Sequence, residues 1–84
     1  MSPRLRSLSA RDLIQGLGRF GFEVVATRGS HAKLRRALPD GSRQILTVPL
    51  HREIAPGSLR AIFRQACRFV PEELLRPLFL HERR

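Results

Sequence analysis

The chain changes period three times, and each change marks an element. After Ser9, the apolar residues Leu13, Ile14, Leu17 and Phe20 recur at helical spacing and form one stripe. Ser9 is the expected N-cap, with Asp12 three residues later as a short capping-box acid. Gly21 suits the position just past the helix end. Gly16 and Gly18 weaken this helix by up to about 1 kcal/mol each relative to Ala, and they permit close approach to a sheet.

Residues 22–27 are then rich in β-formers: Phe22, Val24, Val25 and Thr27. A connection of about three residues, Arg28-Gly29-Ser30, turns the chain into a second strand over 31–37. Here the period is two. His31, Lys33 and Arg35 point to one face, and Ala32 and Leu34 to the other. Leu38-Pro39-Asp40-Gly41-Ser42 has the composition of a tight turn. Residues 43–48 form a third strand, whose pairing Pro49 is expected to end. Three strands with short turns make an antiparallel meander that needs a cover on one face.

The cover is helical. Pro56 is placed as a first helical residue, and Leu59, Ile62, Phe63 and Ala66 follow on one stripe. Arg60, Arg64 and Arg68 lie on another, read either as a solvated face or as a contact with RNA or an acidic partner. Pro71 opens a short third helix with Glu72 and Glu73 in its first turn, and Pro77 is expected to stop it. Leu74, Leu75, Leu78, Phe79 and Leu80 are expected to pack back onto the core; a partner surface is the other use. The chain reads as one domain over 1–84, with a loose basic lead-in at 1–8, a core at 9–67 and an extension at 68–84.

Charge adds a partner class. The 84 residues hold 16 Lys and Arg against 7 Asp and Glu, a net charge of +9, which favours nucleic acid, an acidic protein or an anionic membrane surface. Lys33 is the single lysine; the other cations are Arg, whose planar fork donates two hydrogen bonds to a phosphate at once. The single cysteine, Cys67, excludes an internal disulfide and a cysteine-based zinc site, and its apolar neighbours make it a small core residue. Three scattered histidines with few carboxylates nearby do not form a metal site, and no metal or other cofactor is expected. With no signal peptide and no apolar run of spanning length, the expected location is the cytoplasm, with no membrane partner.

On the second strand, an imidazole heads a row of cations spaced about 7 Å apart along one face. The imidazole moves protons near neutral pH, and the cations suit a phosphodiester backbone. From pattern alone, a lone histidine at a strand start such as His31 is more often structural or solvated than catalytic, and His51 reads first as a loop histidine hydrogen-bonded locally.

Several pieces, in order, resemble the HicA-type toxins of bacterial toxin–antitoxin systems, also described as YcfA-like proteins. They are Asp12-Leu13-Ile14, Gly21-Phe22, Arg28-Gly29-Ser30-His31 with Lys33, Thr47-Val48-Pro49-Leu50-His51, and Gly57-Ser58-Leu59-Arg60-Ala61-Ile62-Phe63-Arg64-Gln65-Ala66. Ser58 stands where Thr is usual, and the tail after Arg68 lies outside the motif. The resemblance implies an α+β, double-stranded-RNA-binding-domain-like fold of order α-β-β-β-α, with helices on one face of the sheet and here a short C-terminal helix. It also implies the toxin of a type II system: an mRNA-cleaving endoribonuclease that needs no metal and is neutralised by an acidic HicB-type antitoxin. The histidine after Gly-Ser, His31, matches the family's catalytic position. Arg28, Gly29, Ser30, Lys33, Arg35 and His51 are the expected RNA- and phosphate-binding residues. With five Phe and no Trp or Tyr, stacking on bases is poorly provided and binding should be backbone-driven. The alternative is a non-catalytic RNA-binding module of the same fold.

Overall fold

In the computed structural model, which describes residues 4–81, the elements run α1 (Ala10–Gly18), β1 (Glu23–Arg28), β2 (His31–Ala37), β3 (Arg43–Pro49), α2 (Pro56–Ala66) and α3 (Glu72–Phe79). The strands form one antiparallel sheet in the order β1-β2-β3, and the helices pack on one side of it. This is the α+β, double-stranded-RNA-binding-domain-like arrangement, extended by α3.

The strand alternation decides which side is covered. Ala32, Leu34, Leu46 and Val48 point to the helices and are buried against Leu13, Leu17, Leu59 and Ala66. The intervening residues, His31, Lys33 and Arg35 on β2 and Thr47 on β3, stay exposed on the open face. At the start of α1, the Asp12 N–H donates to Ser9 Oγ at 3.0 Å, the expected cap. The helix ends at Gly18, and Phe20 lies in the following turn.

The first hairpin is tighter than expected, and the second turns over residues 38–42 as expected. Arg28 pairs directly with His31, leaving the two-residue turn Gly29-Ser30 rather than a three-residue connection. Gly29 takes φ +57°, as a Gly-first turn matched to strand twist requires. In the second hairpin, Leu38 N–H donates to the Ser42 carbonyl and Gly41 N–H to the Leu38 carbonyl, both at 2.9 Å. Asp40 Oδ1 accepts from the Ser42 hydroxyl at 2.6 Å and the Ser42 N–H at 2.9 Å, which lowers the Asp40 carboxyl below its ordinary pKa.

Two prolines were expected to end elements: Pro49 is the last residue of β3, whereas Pro77 does not end α3. Pro49 remains in β3 as the partner of His31. The next bond, Leu50 N–H to the Ser30 carbonyl, makes His31 and Pro49 a non-hydrogen-bonded pair, so the missing Pro N–H is not needed. Pro77 lies inside α3, which continues because Phe79 is fully buried and the Leu80 N–H closes on the Arg76 carbonyl at 2.8 Å.

Of the lead-in expected to be loose, residues 1–3 lie outside the described residues. From Arg4 the chain runs antiparallel to the end of α3. Leu5 bridges Leu80, Arg6 N–H donates to the Phe79 carbonyl at 2.8 Å, and Leu8 is buried. Val70, Leu75 and Phe79 join the core, as expected of the apolar extension, while Leu74 stays 54% exposed.

Candidate active site

The first strand sets the site through an irregularity. Val24 pairs with Leu34 and Ala26 with Lys33, so Val25 is an extra residue, a β-bulge. Before the bulge, Val24 lies opposite the inward-pointing Leu34. After it, Thr27 lies opposite the inward-pointing Ala32, and Arg28 opposite His31 on the open face. Without the extra residue, alternation from Val24 would turn Arg28 toward the helices.

The result is a shallow basin of about 550 Å³ on the open face. Arg28, His31 and Lys33 supply its polar groups, and Ala26, Ile45 and Thr47 its remaining wall. His31 is exposed; its Nδ1 is 3.5 Å from the Ser30 hydroxyl, the outer limit of a hydrogen bond. Arg35 continues the row along β2 beyond Lys33, where its strand partners are Glu23 and Ile45. Among the described residues, Arg28, Lys33 and Arg35 form no ion pair, so their charge faces solvent and any anion that settles there.

The expected binding residues therefore divide. Arg28, Lys33 and Arg35 share the open face with His31, and Gly29 and Ser30 form the turn that closes it. His51 lines a different cavity, between α1 and the loop after β3. Ala26, Ile45 and Thr47 complete the basin and are not among the expected binding residues. Thr47 and Ile45 follow from β3 alternation once register is known, whereas Ala26 depends on the bulge. Arg60, Arg64 and Arg68 are exposed on the helix layer, away from the sheet's open face.

A comparison with protein-family models matches residues 10–66 to the family described as HicA toxin of bacterial toxin-antitoxin. The chain belongs to the HicA toxin family. No curated protein and no solved structure matched it. The matched region spans α1 to α2 and includes every residue of the open basin, whereas α3 lies beyond it. HicA membership makes the chain the toxin of a toxin–antitoxin system and implies an antitoxin partner. No helix among the described residues of this HicA chain is long and apolar enough to cross a membrane. None of its described His, Cys, Asp and Glu side chains form a group of three or more placed to hold a metal ion.

Proposed function

We propose that this HicA chain is a metal-independent endoribonuclease acting on mRNA, with His31 as its catalytic acid or base. The observation that carries the reading is the placement of His31 between Arg28 and Lys33 on a face that no helix covers. An RNA phosphodiester lying there meets two cations and one proton-transfer group.

The reaction needs no external nucleophile. The ribose 2′-oxygen attacks phosphorus, the P–O2′ bond forms, and the P–O5′ bond breaks to leave a 2′,3′-cyclic phosphate and a 5′-hydroxyl. One group accepts the 2′-hydroxyl proton, and another delivers a proton to the departing 5′-oxygen. A histidine's ordinary pKa of about 6.5 suits either task. Water or a neighbouring cation serves the other step. Arg28 and Lys33 stabilise the charge that gathers on the phosphorane oxygens, and Arg35 holds the adjoining backbone.

An acidic HicB-type antitoxin neutralises the toxin by covering the first hairpin. The exposed row of cations supplies the complementary charge. Complex formation should therefore protect His31 from diethylpyrocarbonate; full reactivity in the complex would rule out occlusion.

The deciding experiment is RNA cleavage in excess EDTA by the wild type and His31→Ala, with the product ends identified. Cyclic-phosphate and 5′-hydroxyl ends from the wild type alone are the expected result. Equal cleavage by both proteins would remove His31 from the mechanism. RNA binding without cleavage by either would identify a binding module.

A further inference from the structure

A larger and more open cavity lies beside the basin, not in it. It has a volume of about 750 Å³ and opens between α1 and the loop after β3. Its size is that of a small-molecule site, which runs to about 300–1,000 Å³. We propose that it holds a nucleobase of the single-stranded RNA whose scissile phosphate lies at His31, an inference that rests on the ribonuclease reading above.

The cavity is built and held in place by backbone bonds. The Ala10 N–H donates to the His51 carbonyl and the Ile54 N–H to the Leu8 carbonyl, both at 2.9 Å, so the loop is stitched to the start of α1. Ile14 and Leu50 give it an apolar wall; Leu50 is 38% exposed. Arg11, Gln15, His51 and Arg52 surround that wall with two guanidinium groups, an amide and an imidazole. Arg11, Ile14 and Gln15 are one helical turn apart on α1 and so present a single face.

This chemistry fits a base better than a folded protein surface. A nucleobase is a flat apolar disc with a hydrogen-bonding edge. Ile14 and Leu50 can contact the disc, the planar Arg and His groups can stack on it, and Gln15 can pair with its edge. The rim carries no carboxylate, and among the described residues Arg11 and Arg52 form no ion pair. A protein partner anchors on a larger desolvated apolar centre than two aliphatic side chains provide.

Position supplies the second argument. Leu50 N–H donates to the Ser30 carbonyl at 2.6 Å, one residue from His31 in one strand and from Pro49 in the other. The cavity thus begins where the open face ends, around the tip of the first hairpin. An RNA strand crossing that tip has its phosphate on the cations of β2 and its next nucleoside at the loop. Backbone contact supplies affinity on the sheet, and the cavity adds recognition of a base, for which the chain's phenylalanines are not available. Phe22 and Phe79 are buried, and Phe20, Phe63 and Phe69 pack against the core.

The test uses the full chain carrying His31→Ala, to prevent cleavage, and short single-stranded RNAs that differ only by one abasic ribose. Scanning the abasic position should find one site, next to the scissile phosphate, where affinity falls about tenfold, equivalent to roughly 50 Å² of apolar contact. That loss should disappear when Leu50→Ala and Arg52→Ala are added, and persist with Arg64→Ala. RNA carrying 4-thiouridine at the same site should crosslink to residues 10–15 or 50–52. Equal binding of all abasic RNAs, or crosslinks confined to the strands, would overturn the base site while leaving cleavage at His31 intact. Protection of Leu50 and Arg52 by an acidic protein and not by RNA would likewise overturn it. Absence of both binding and cleavage in the wild type would remove the ribonuclease reading together with the base site.

Discussion

Arg28 and His31 face each other across the closing pair of the first hairpin, with Gly29 at φ +57° between them. An added Cβ at Gly29 meets no atom within 4 Å, so a substitution there acts through the backbone alone. The left-handed conformation costs an L-residue about 1–2 kcal/mol. Gly29→Ala should lower unfolding stability by about that amount in a urea titration. It should also reduce RNA cleavage at temperatures where the variant remains folded, because relief of the strain moves Arg28 relative to His31. Unchanged cleavage would show that the alignment of this pair is not needed.

Lys33 follows His31 on the same face and forms no ion pair among the described residues. If it neutralises one phosphate of single-stranded RNA, Lys33→Ala should reduce the slope of log affinity against log salt by about 0.7. The comparison belongs in a His31→Ala background, with affinity measured across a series of salt concentrations. An unaltered slope would place the strand elsewhere.

Arg36 turns inward at the other end of β2. Its guanidinium donates to Gln44 Oε1 at 2.8 Å, to the Phe20 carbonyl at 3.1 Å and to the Phe69 carbonyl at 2.9 Å, and lies 5.1 Å from the Phe22 ring centre. One side chain thus ties the turns after α1 and α2 to the sheet. Arg36→Met should cost about 2–4 kcal/mol, since it removes three charge-assisted bonds and leaves part-buried acceptors. Arg36→Lys should recover little, because an ammonium cannot span the three acceptors as a planar fork does. Thermal melts of the two variants decide this.

The contrast between Arg35 and Arg36 shows what the sequence reveals. Strict alternation from His31 to Arg35 identifies the open face without any knowledge of register. The same alternation puts Arg36 toward the core, yet nothing local shows that three acceptors from distant segments await it. The bulge at Val25 is equally hidden, since a run of β-formers has no period to break. The local rule that makes Pro77 a helix stop is overridden by the burial of Phe79. The second cavity needs the loop after β3 brought against α1, a contact between residues about forty positions apart.

Cys67 follows α2 and is half-buried. Burial, and then the nearby Glu72 carboxylate, raise its thiol pKa above the ordinary value. A raised pKa leaves less thiolate at a given pH, so the folded protein should react with iodoacetamide at pH 8 more slowly than free cysteine. Denaturant should restore the ordinary rate. Fast alkylation of the folded protein would show that this segment opens readily.

The extension beyond the HicA-matched region is a structural part of the domain. Phe79 is fully buried, and its ring centre lies 5.0 Å from that of Phe63 on α2. Through Phe79, α3 covers part of α2, and the Arg6 N–H bonds to the Phe79 carbonyl to bring the N-terminal segment over the same end. Phe79→Ala should cost about 3–5 kcal/mol, a large share of the roughly 5–15 kcal/mol available to a small domain. Leu74→Ala, at a position 54% exposed, should cost little and serves as the control within the same helix. Since α3 contributes nothing to the open basin, the folded fraction of Phe79→Ala should cleave RNA at the wild-type rate when assayed cold. A rate that stayed low after correction for folded protein would mean that the extension also takes part in the reaction.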